Sequence, residues 1–463
     1  AGAPNIFNVV NLDKSQKKTP KTGWHEQTQS FFYSLELGWK SQLFVTTTGR
    51  NDWASQLANS PQKSFFYPSV GVSWLPSSTF NFPEKFNYLK IRASWASVAN
   101  PFPRELTIAT HPYDDTISGW DDKSNYPIGQ LYPERTKTWE LGFDARFLHG
   151  FTLSASWYRA DTYNQTFNPN LSASSGYSDI YIQTGHVRNT GVEASLGYDH
   201  QWKNWNWNSQ FTFSWNKNKI IELCKEWYNP ITEETITMNR LQISKLGRAK
   251  FILKEGGSMG DLYSTTDLRR DDKGNIEIDE GGNVVVEDNL PDMKLGSVFP
   301  DYNLAWRNSV SWKNLNLGFL VTARIGGIVN SLTQANMDLF GVSEATAAAR
   351  DAGGALVNGR SLVNPETWYT AIASQGGIPQ YYTYSATNVR LQELSLGYTI
   401  PRKWLHNICS ITVSFVGRNL WMMYCKAPFD PEAVASTNNF YQGMDYFMMP
   451  STRNLGFNIN IKF

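Results

Sequence analysis

The residues best suited to ligand binding lie in long segments that mix aromatic and acidic side chains. The segment at 111–135 places Tyr113 and Trp120 near Asp121 and Asp122. Aromatic rings stack on apolar faces of a ligand and carboxylates accept hydrogen bonds from its hydroxyl groups, which is the mixed lining of a small-molecule site. Later segments repeat this composition and add further candidate contacts: Trp368, Tyr369, Tyr381, Tyr382, Trp421, Asp430, Asp445 and Tyr446. Packing within the segments, or contact with a protein partner, is the competing interpretation.

The sequence predicts no catalytic site, no cofactor and no metal centre. HExxH, GxSxG and Walker-type motifs are absent, and the six histidines are scattered. The acidic stretch at 271–283 lacks the spacing of an EF-hand loop, and a hairpin with a Lys-Gly-Asn turn explains it better. A net charge of +1 does not favour binding to nucleic acid.

Short-period alternation dominates the chain and predicts strands, because successive side chains of a strand point to opposite faces. At the end of the chain Phe457, Ile459 and Ile461 share one face, and Asn458 and Asn460 share the other. We predict about 16 strands, at 3–12, 28–40, 41–53, 64–75, 86–97, 135–148, 150–162, 185–201, 205–219, 248–255, 261–270, 302–312, 315–325, 388–400, 409–421 and 453–463. A short helix is predicted within 345–357.

Strand length and connection length favour a membrane-spanning structure. A tilted strand of about 9–11 residues crosses a bilayer, and nearly all of the predicted strands are of that length or longer. Tight joints such as Lys40-Ser41 alternate with long segments such as 326–387. Short turns at one end and long loops at the other are typical of outer-membrane barrels. The sequence therefore predicts an all-β, antiparallel transmembrane barrel, with a large soluble β protein as the alternative.

Polar residues on the inner face of such a barrel would line a lumen or contact a plug. Among these we single out Glu140, Asp144, Arg307, Arg324, Arg390 and Arg418.

Several phrases resemble one family when they are taken together and in order. They are YPERTKTWELGFDARFL, HVRNTGVEASLGY, LGSVFPDYNLAWRNSVSWKNLNLGFLVTARIGG, NVRLQELSLGYTIP, VSFVGRNLWMM, FDPEA and PSTRNLGFNINIKF. They span about residues 130 to 463 and resemble the barrel of SusC/RagA-type TonB-dependent transporters. The resemblance implies a barrel of about 22 strands with a plugged lumen. Residues 1–463 would be its C-terminal part, because nothing in the chain resembles the plug or the first strands.

The resemblance also implies function, partners and location. It implies active import of oligosaccharides across the outer membrane of a Gram-negative bacterium, with no enzymatic step. The implied partners are a SusD-like lipoprotein lid, the TonB complex acting through the plug, the protein's own N-terminal plug domain, an oligosaccharide ligand, membrane lipid and the barrel-assembly machinery. The final Phe463 resembles the signal that this machinery reads. Import of oligopeptides, a passive 16-stranded porin and a secreted glycan-active enzyme are the alternatives.

Overall fold

The structure is a computed structural model of the 463-residue chain. It describes residues 25–103, 106, 113–114, 119–120, 131–167, 181–183, 185–229, 233–436 and 441–463.

One antiparallel sheet of 13 strands organises the described part of the chain. Its order follows the sequence, so each strand pairs with the sheet strands before and after it. The strands are β1 Thr28–Trp39, β2 Leu43–Ala54, β3 Ser64–Trp74, β4 Phe86–Asn100, β5 Glu134–Phe147, β6 Phe151–Tyr163, β7 His186–Trp202, β8 Trp205–Glu222, β9 Tyr302–Trp312, β10 Leu315–Ile325, β11 Asn388–Ile400, β12 Ser410–Cys425 and β13 Asn454–Lys462. An up-and-down order with neighbouring antiparallel strands is that of an outer-membrane barrel. The strands β1 and β13 stand at the two ends of this order. Closure at β13 stays a prediction.

Two of the tight joints predicted from the sequence are confirmed as turns with left-handed backbone. Lys40 and Ser41 have φ angles of 49° and 53°, and Leu148 and His149 have 50° and 52°. Two consecutive residues with positive φ match the right-handed twist of the flanking strands. These turns therefore hold β1 to β2 and β5 to β6 in register, with Trp39 opposite Leu43 and Phe147 opposite Phe151.

Two of the predicted strands do not belong to the 13-stranded sheet, so their assignment to the barrel wall was wrong. Segments 248–255 and 261–270 belong mainly to a separate four-stranded sheet, built from Arg240–Leu246, Ala249–Lys254, Asp261–Ser264 and Met293–Ser297. Phe251, Ile252 and Leu262 of this sheet are completely buried. A short apolar run predicts a strand, but it does not report whether that strand belongs to the large sheet or to a separate buried one. The predicted strand at 3–12 lies outside the described residues.

Helices and short strands occupy the connections between the strands of the large sheet. The helices are α1 Pro76–Thr79, α2 Leu332–Leu339, α3 Glu344–Asp351, α4 Pro365–Ala373 and α5 Pro379–Tyr382, with 3-10 turns at Ser55–Leu57, Ser374–Gly376 and Arg402–Leu405. The small sheets outside the 13-stranded one are Tyr113–Asp114 with Gly119–Trp120, Thr166–Phe167 with Ile182–Gln183, Cys224–Asn229 with Glu234–Met238, Asp267–Leu268 with Val286–Glu287, Ala355–Val357 with Ser361–Val363, and Ile328–Ser331 with Thr383–Ser385 and Met444–Asp445. The helix predicted within 345–357 is α3, which ends at Asp351. Within the described ranges, no helix is long and apolar enough to cross a membrane.

The acidic stretch at 271–283 forms the predicted hairpin turn and then a second turn of the same kind. Asp271 accepts hydrogen bonds from the backbone amides of Lys273 and Asn275 at 2.9 and 2.8 Å. Asp279 accepts one from the amide of Asn283 at 2.8 Å. An aspartate that bonds its own following backbone closes a turn, so these carboxylates are used locally.

Candidate functional site: the inner face and the segments above it

The register of the large sheet separates an apolar face from a polar face. Residues directly opposite each other on paired strands share a face. One row across the sheet contains Val310, Leu317, Leu396, Phe415 and Phe457. We call this side the outer face.

The neighbouring row points to the other side and is polar. It contains Ser311, Asn316, Gly397, Ser414 and Asn458. We call this side the inner face. The predicted alternation of the final strand is thereby confirmed, because Phe457 and Asn458 lie in opposite rows.

All six residues predicted to face a lumen or plug lie on the inner face. Asp144 accepts hydrogen bonds from Arg92 at 2.7 Å and from Ser154 at 2.7 Å. Glu140 lies 3.7 Å from the same guanidinium. Arg92 therefore links Glu140 and Asp144. It was missed by the sequence reasoning, although its parity on β4 could have revealed it.

The other predicted inner cations differ in how far they are committed to partners. Arg307 pairs with Gln210 and Leu320 in the register and is exposed. Arg418 lies 3.1 Å from Glu393, with 66% of its side chain exposed. These two cations remain accessible from the inner side. Contact with a plug stays a prediction for them.

Arg390 is held differently, because it is almost completely buried. Its guanidinium makes two hydrogen bonds to Asp430, at 2.8 and 3.2 Å, and lies 3.1 Å from Glu432. A forked contact of this kind is strong and directional. Burial alone would raise the pKa of Asp430, but hydrogen bonds from Arg390 and Ser451 hold it below its ordinary value. The pair fixes the segment after β12 against the end of β11.

A hollow of about 700 Å³ lies against the inner face. Small hydroxyl side chains and a few charged or amide groups line it, including Ser154, Ser195, Thr212, Ser214, Asn303, Thr322, Arg324, Gln392 and Glu432. Arg324 donates to the backbone oxygen of Val298 at 2.7 Å, while its Nε atom is buried without a partner among the described residues. The hollow therefore offers many weak hydrogen-bonding groups and no concentrated reactive set.

Of the predicted ligand-contacting aromatic residues, several are packed inside the segment above the sheet. The rings of Trp368 and Tyr381 meet edge to face at 5.9 Å. Tyr382 is 2% exposed, and its hydroxyl donates to Asp338 at 3.0 Å. Burial and the neighbouring Asp338 charge raise the pKa of Tyr382 far above its usual range. Tyr382 therefore has no exposed ring face on which a ligand could stack.

Tyr369 has a different position, because it lines a cavity of about 370 Å³ between α2, α3 and α4. Asp338, Arg350 and Glu366 line the same cavity. Asp338 accepts a hydrogen bond from the side-chain amide of Gln334 at 3.0 Å, in addition to the one from the Tyr382 hydroxyl. Burial and the Asp338 charge raise the pKa of Tyr369. This volume lies toward the low end of the range of about 300–1,000 Å³ for small-molecule sites.

The remaining predicted contacts are dispersed. Trp421 lies opposite Leu391 on the outer face, in a row that reaches Trp306, and its contact with a ligand stays a prediction. Asp445 is buried and 2.6 Å from the Ser331 hydroxyl, whereas Tyr446 is 50% exposed.

The acidic-aromatic segment at 111–135 is only partly described. Tyr113 and Trp120 are backbone partners in a two-residue ladder. Asp121 and Asp122 lie outside the described residues.

Comparison with known proteins identifies related sequences and folds. Residues 2–420 match the family described as TonB dependent receptor-like, beta-barrel. TonB-dependent receptor P3 of Formosa agariphila is 27% identical over 500 residues, covering 99% of this chain and 48% of that protein. TonB-dependent receptor SusC of Bacteroides thetaiotaomicron is 21% identical over 404 residues, covering 81% and 38%. The chain spans about half the length of the relatives it matches most fully.

A solved structure has the same fold. The structure of the RagAB peptide importer in its open-open state superposes with a TM-score of 0.72 at 19% identity, covering 97% of this chain and 49% of that one. At this identity the likeness establishes the fold.

Proposed function

The chain belongs to the TonB dependent receptor-like β-barrel family, and from this membership we propose that the whole protein imports hydrophilic oligomers, oligosaccharides first among them. The family is one of outer-membrane receptors and transporters of the SusC/RagA type. In this proposal residues 1–463 supply the C-terminal barrel portion. TonB acts through a plug domain, and a SusD-like lipoprotein covers the mouth.

The observation that supports import most directly is the polar hollow on the inner face. Hydroxyl and amide groups such as Ser195, Thr212 and Asn303 can exchange hydrogen bonds with a hydroxyl-rich oligomer. Conduction needs sites that are weak and numerous enough for a solute to leave as well as enter. A lining of small hydroxyl groups meets this requirement better than one deep, charged pocket would.

Capture would take place in the segments above the sheet. Tyr369 faces a cavity that also contains hydrogen-bonding carboxylates, and Tyr446 keeps half of its surface exposed. A sugar ring could stack on the Tyr369 ring while its hydroxyl groups bond to Asp338 or Glu366. We therefore assign initial ligand contact to Tyr369 in preference to Tyr382.

Oligopeptides are the second candidate because of the charges around this cavity. Within the described chain, no basic side chain forms a salt bridge with Asp338 or Glu366. A peptide ammonium group would supply the missing positive charge. The structurally similar RagAB is described as a peptide importer, which makes this alternative worth testing.

Uptake by cells tests the proposal. Cells that lack the gene for the full protein should fail to take up at least one defined oligosaccharide or oligopeptide, and the gene should restore uptake only when TonB is present. Uptake that persists without TonB would instead indicate a passive porin. Normal uptake of every oligosaccharide and peptide after gene deletion would refute import.

A matched pair of substitutions tests the capture site. Tyr369→Ala should weaken binding of the imported oligomer to the purified full protein by about 2- to 12-fold, the loss of one stacked aromatic contact at roughly 0.5–1.5 kcal/mol. Trp404→Ala is the control, because Trp404 is exposed in the Arg402–Leu405 turn at the opposite end of the strands. Equal effects of the two substitutions would count against the assigned site.

A further inference from the structure

The upper part of the outer face carries a concentration of basic side chains on β5 to β8. In one row Lys137 lies opposite Asp161, Asp161 opposite Arg188, and Arg188 opposite Lys219. The adjacent outer-face rows place further cations above and below it. We call the whole set the basic rim patch, and its members are Arg135, Lys137, Arg159, Arg188, Lys217 and Lys219.

The outer-face position of the patch follows from the rows beneath it. Leu141 lies opposite Trp157, which lies opposite Val192, which lies opposite Trp215. Leu141 and Trp157 are exposed large apolar side chains of the outer face. Arg159 and Asp161 follow Trp157 at intervals of two along β6, so they point to the same side. The patch therefore continues an apolar, aromatic surface upward.

Its height matches the end of a membrane span. A strand crosses a bilayer in roughly 9–11 residues. Counted from Phe151 at the tight turn, this span ends between Arg159 and Asp161 on β6. On β5 the chain runs toward the same turn, so the span is counted back from Phe147 and ends between Trp139 and Lys137. The cations of β5 and β6 thus lie where a span of this length ends, on the side of the long connections, and Arg188, Lys217 and Lys219 continue the same rows on β7 and β8.

Asp161 organises the centre of the patch without neutralising it. Its carboxylate is 2.8 Å from Arg159 Nε, 2.7 Å from Arg188 Nε and 2.6 Å from His186 Nε2. Both arginines use Nε for this contact, and no described residue accepts a hydrogen bond from their Nη groups. The guanidiniums are held in place while their Nη donors remain available.

Positive charge exceeds negative charge across these rows. Six basic side chains share them with Asp161 and, at the edge, Glu222. Lys137, Lys217 and Lys219 are exposed, and Arg159 keeps 41% of its side chain exposed. These rows therefore carry four more basic than acidic side chains among the described residues, and this excess positive charge lies above an aromatic surface.

We propose that the basic rim patch binds the phosphate groups of an anionic glycolipid of the outer leaflet. Arginine recognises phosphate through paired N–H donors, and lysine contributes further charge. The acyl chains of the lipid would lie against the apolar surface around Leu141 and Trp157, directly below the headgroup. This combination of an apolar wall and a cationic rim selects a phosphorylated lipid over a soluble anion. The inference concerns the lipid-facing side and does not depend on which solute the protein imports.

The experiment measures binding of three probes to the purified full protein in detergent. The probes are diphosphoryl lipid A, the same lipid without its phosphates, and inorganic phosphate alone. We expect the phosphorylated lipid to bind at least 10-fold more tightly than either of the others. Its affinity should fall as salt is raised, because exposed charges are screened.

Two variants and one control locate the site. Arg188→Gln should weaken binding of the phosphorylated lipid by about 10- to 100-fold, the loss of a charge-assisted hydrogen bond. Lys217→Gln/Lys219→Gln should weaken it by about 10-fold and leaves all Asp161 contacts intact, so a folding defect cannot account for its effect. Lys403→Gln is the control, since Lys403 lies in the Arg402–Leu405 turn at the other end of the strands.

Three results would overturn the proposal. One is unchanged lipid affinity in the lysine double variant. Another is equal affinity for the phosphorylated and dephosphorylated lipids. The third is binding of inorganic phosphate as tight as that of the lipid, which would indicate a simple anion site. Normal uptake of every solute after gene deletion, with lipid binding by the purified protein preserved, would refute the import proposal and leave this one standing.

Discussion

The buried Arg390–Asp430 pair gives a sharp test of how the segment after β12 is held. Asp430→Asn keeps the shape of the side chain but removes its charge. The side chains of Arg390 and Asp430 are only 5% and 10% exposed, so the guanidinium would remain buried with less negative charge around it. Removing one partner from a buried ion pair costs about 3–5 kcal/mol.

The lower end of that range applies here. Glu432 stays 3.1 Å from the guanidinium and Asn388 still accepts from its Nε at 3.2 Å. We therefore expect the free energy that holds the segment closed to fall by about 3 kcal/mol. This corresponds to a roughly 150-fold increase in the population of the open segment.

Hydrogen–deuterium exchange of the full protein measures this opening. The amide of Glu432 donates to Asp430 at 3.0 Å, and that of Ala435 donates to the Met444 oxygen at 2.8 Å. Both amides should exchange about 150-fold faster in the variant if exchange follows opening of the segment. Amides in the middle of β12 should not change.

A matched control uses an exposed pair that joins β11 to β12. Glu393→Gln breaks the contact with Arg418, whose side chain is 66% exposed, and such pairs contribute about 0–1 kcal/mol. Similar small effects of Asp430→Asn and Glu393→Gln would refute the reasoning from burial. The pKa of Asp430 is held below its ordinary value, so its contribution is present above the unfolded-state pKa and is lost as pH falls through the folded-state pKa.

Three further predictions concern other parts of the chain. Asp292 contacts Arg240 at 2.6 Å and Lys254 at 3.0 Å, and these groups lower its pKa to about 2. The free energy of opening of the four-stranded sheet, measured by exchange of its amides, should therefore fall by about 1–2 kcal/mol as the pH falls from about 4 to about 2. Asp292→Asn should abolish this pH dependence. Phe415→Lys on the outer face should lower the free energy of unfolding of the protein in bilayers, measured with urea, by about 2–4 kcal/mol. Ser414→Lys on the inner face should lower it by less than about 1 kcal/mol. Equal losses for the two variants would contradict the assignment of faces. Deletion of Phe463 should reduce the amount of protein in the outer membrane, assayed by fractionation, while ligand affinity of the inserted fraction is unchanged; normal insertion would argue against an assembly signal.

The family resemblance stated from the sequence is confirmed, and it rested on seven phrases that occur in order along the chain. Segments such as 205–219 and 453–463 alternate with period 2 and are long enough to cross a bilayer, so their element type and length were predictable. Segments 248–255 and 261–270 are short apolar or β-forming stretches that also predict strands, and yet they belong mainly to a separate sheet. Local pattern reports that one side of a strand is apolar, and it does not report what covers that side.

The ligand candidates diverged for a similar reason. Tyr369, Tyr382 and Trp421 look equivalent in sequence, since each is an aromatic residue in or beside a long connection. In the structure Tyr369 lines a cavity, Tyr382 is buried against Asp338, and Trp421 lies on the outer face. Exposure depends on contacts between segments that are far apart in the chain, and composition carries no information on these contacts.

By itself, the sequence determined the alternation of the strands, the tight joints and the assignment of residues to two opposite faces, because these properties follow from the period of a strand and from local turn chemistry. Tertiary structure decided which residues of neighbouring strands stand side by side. The row from Lys137 to Lys219 joins two hairpins that a long segment separates in the chain, and Arg390 meets Asp430 from 40 residues away. Register and loop packing create those clusters, so they became visible only when the strands were placed together.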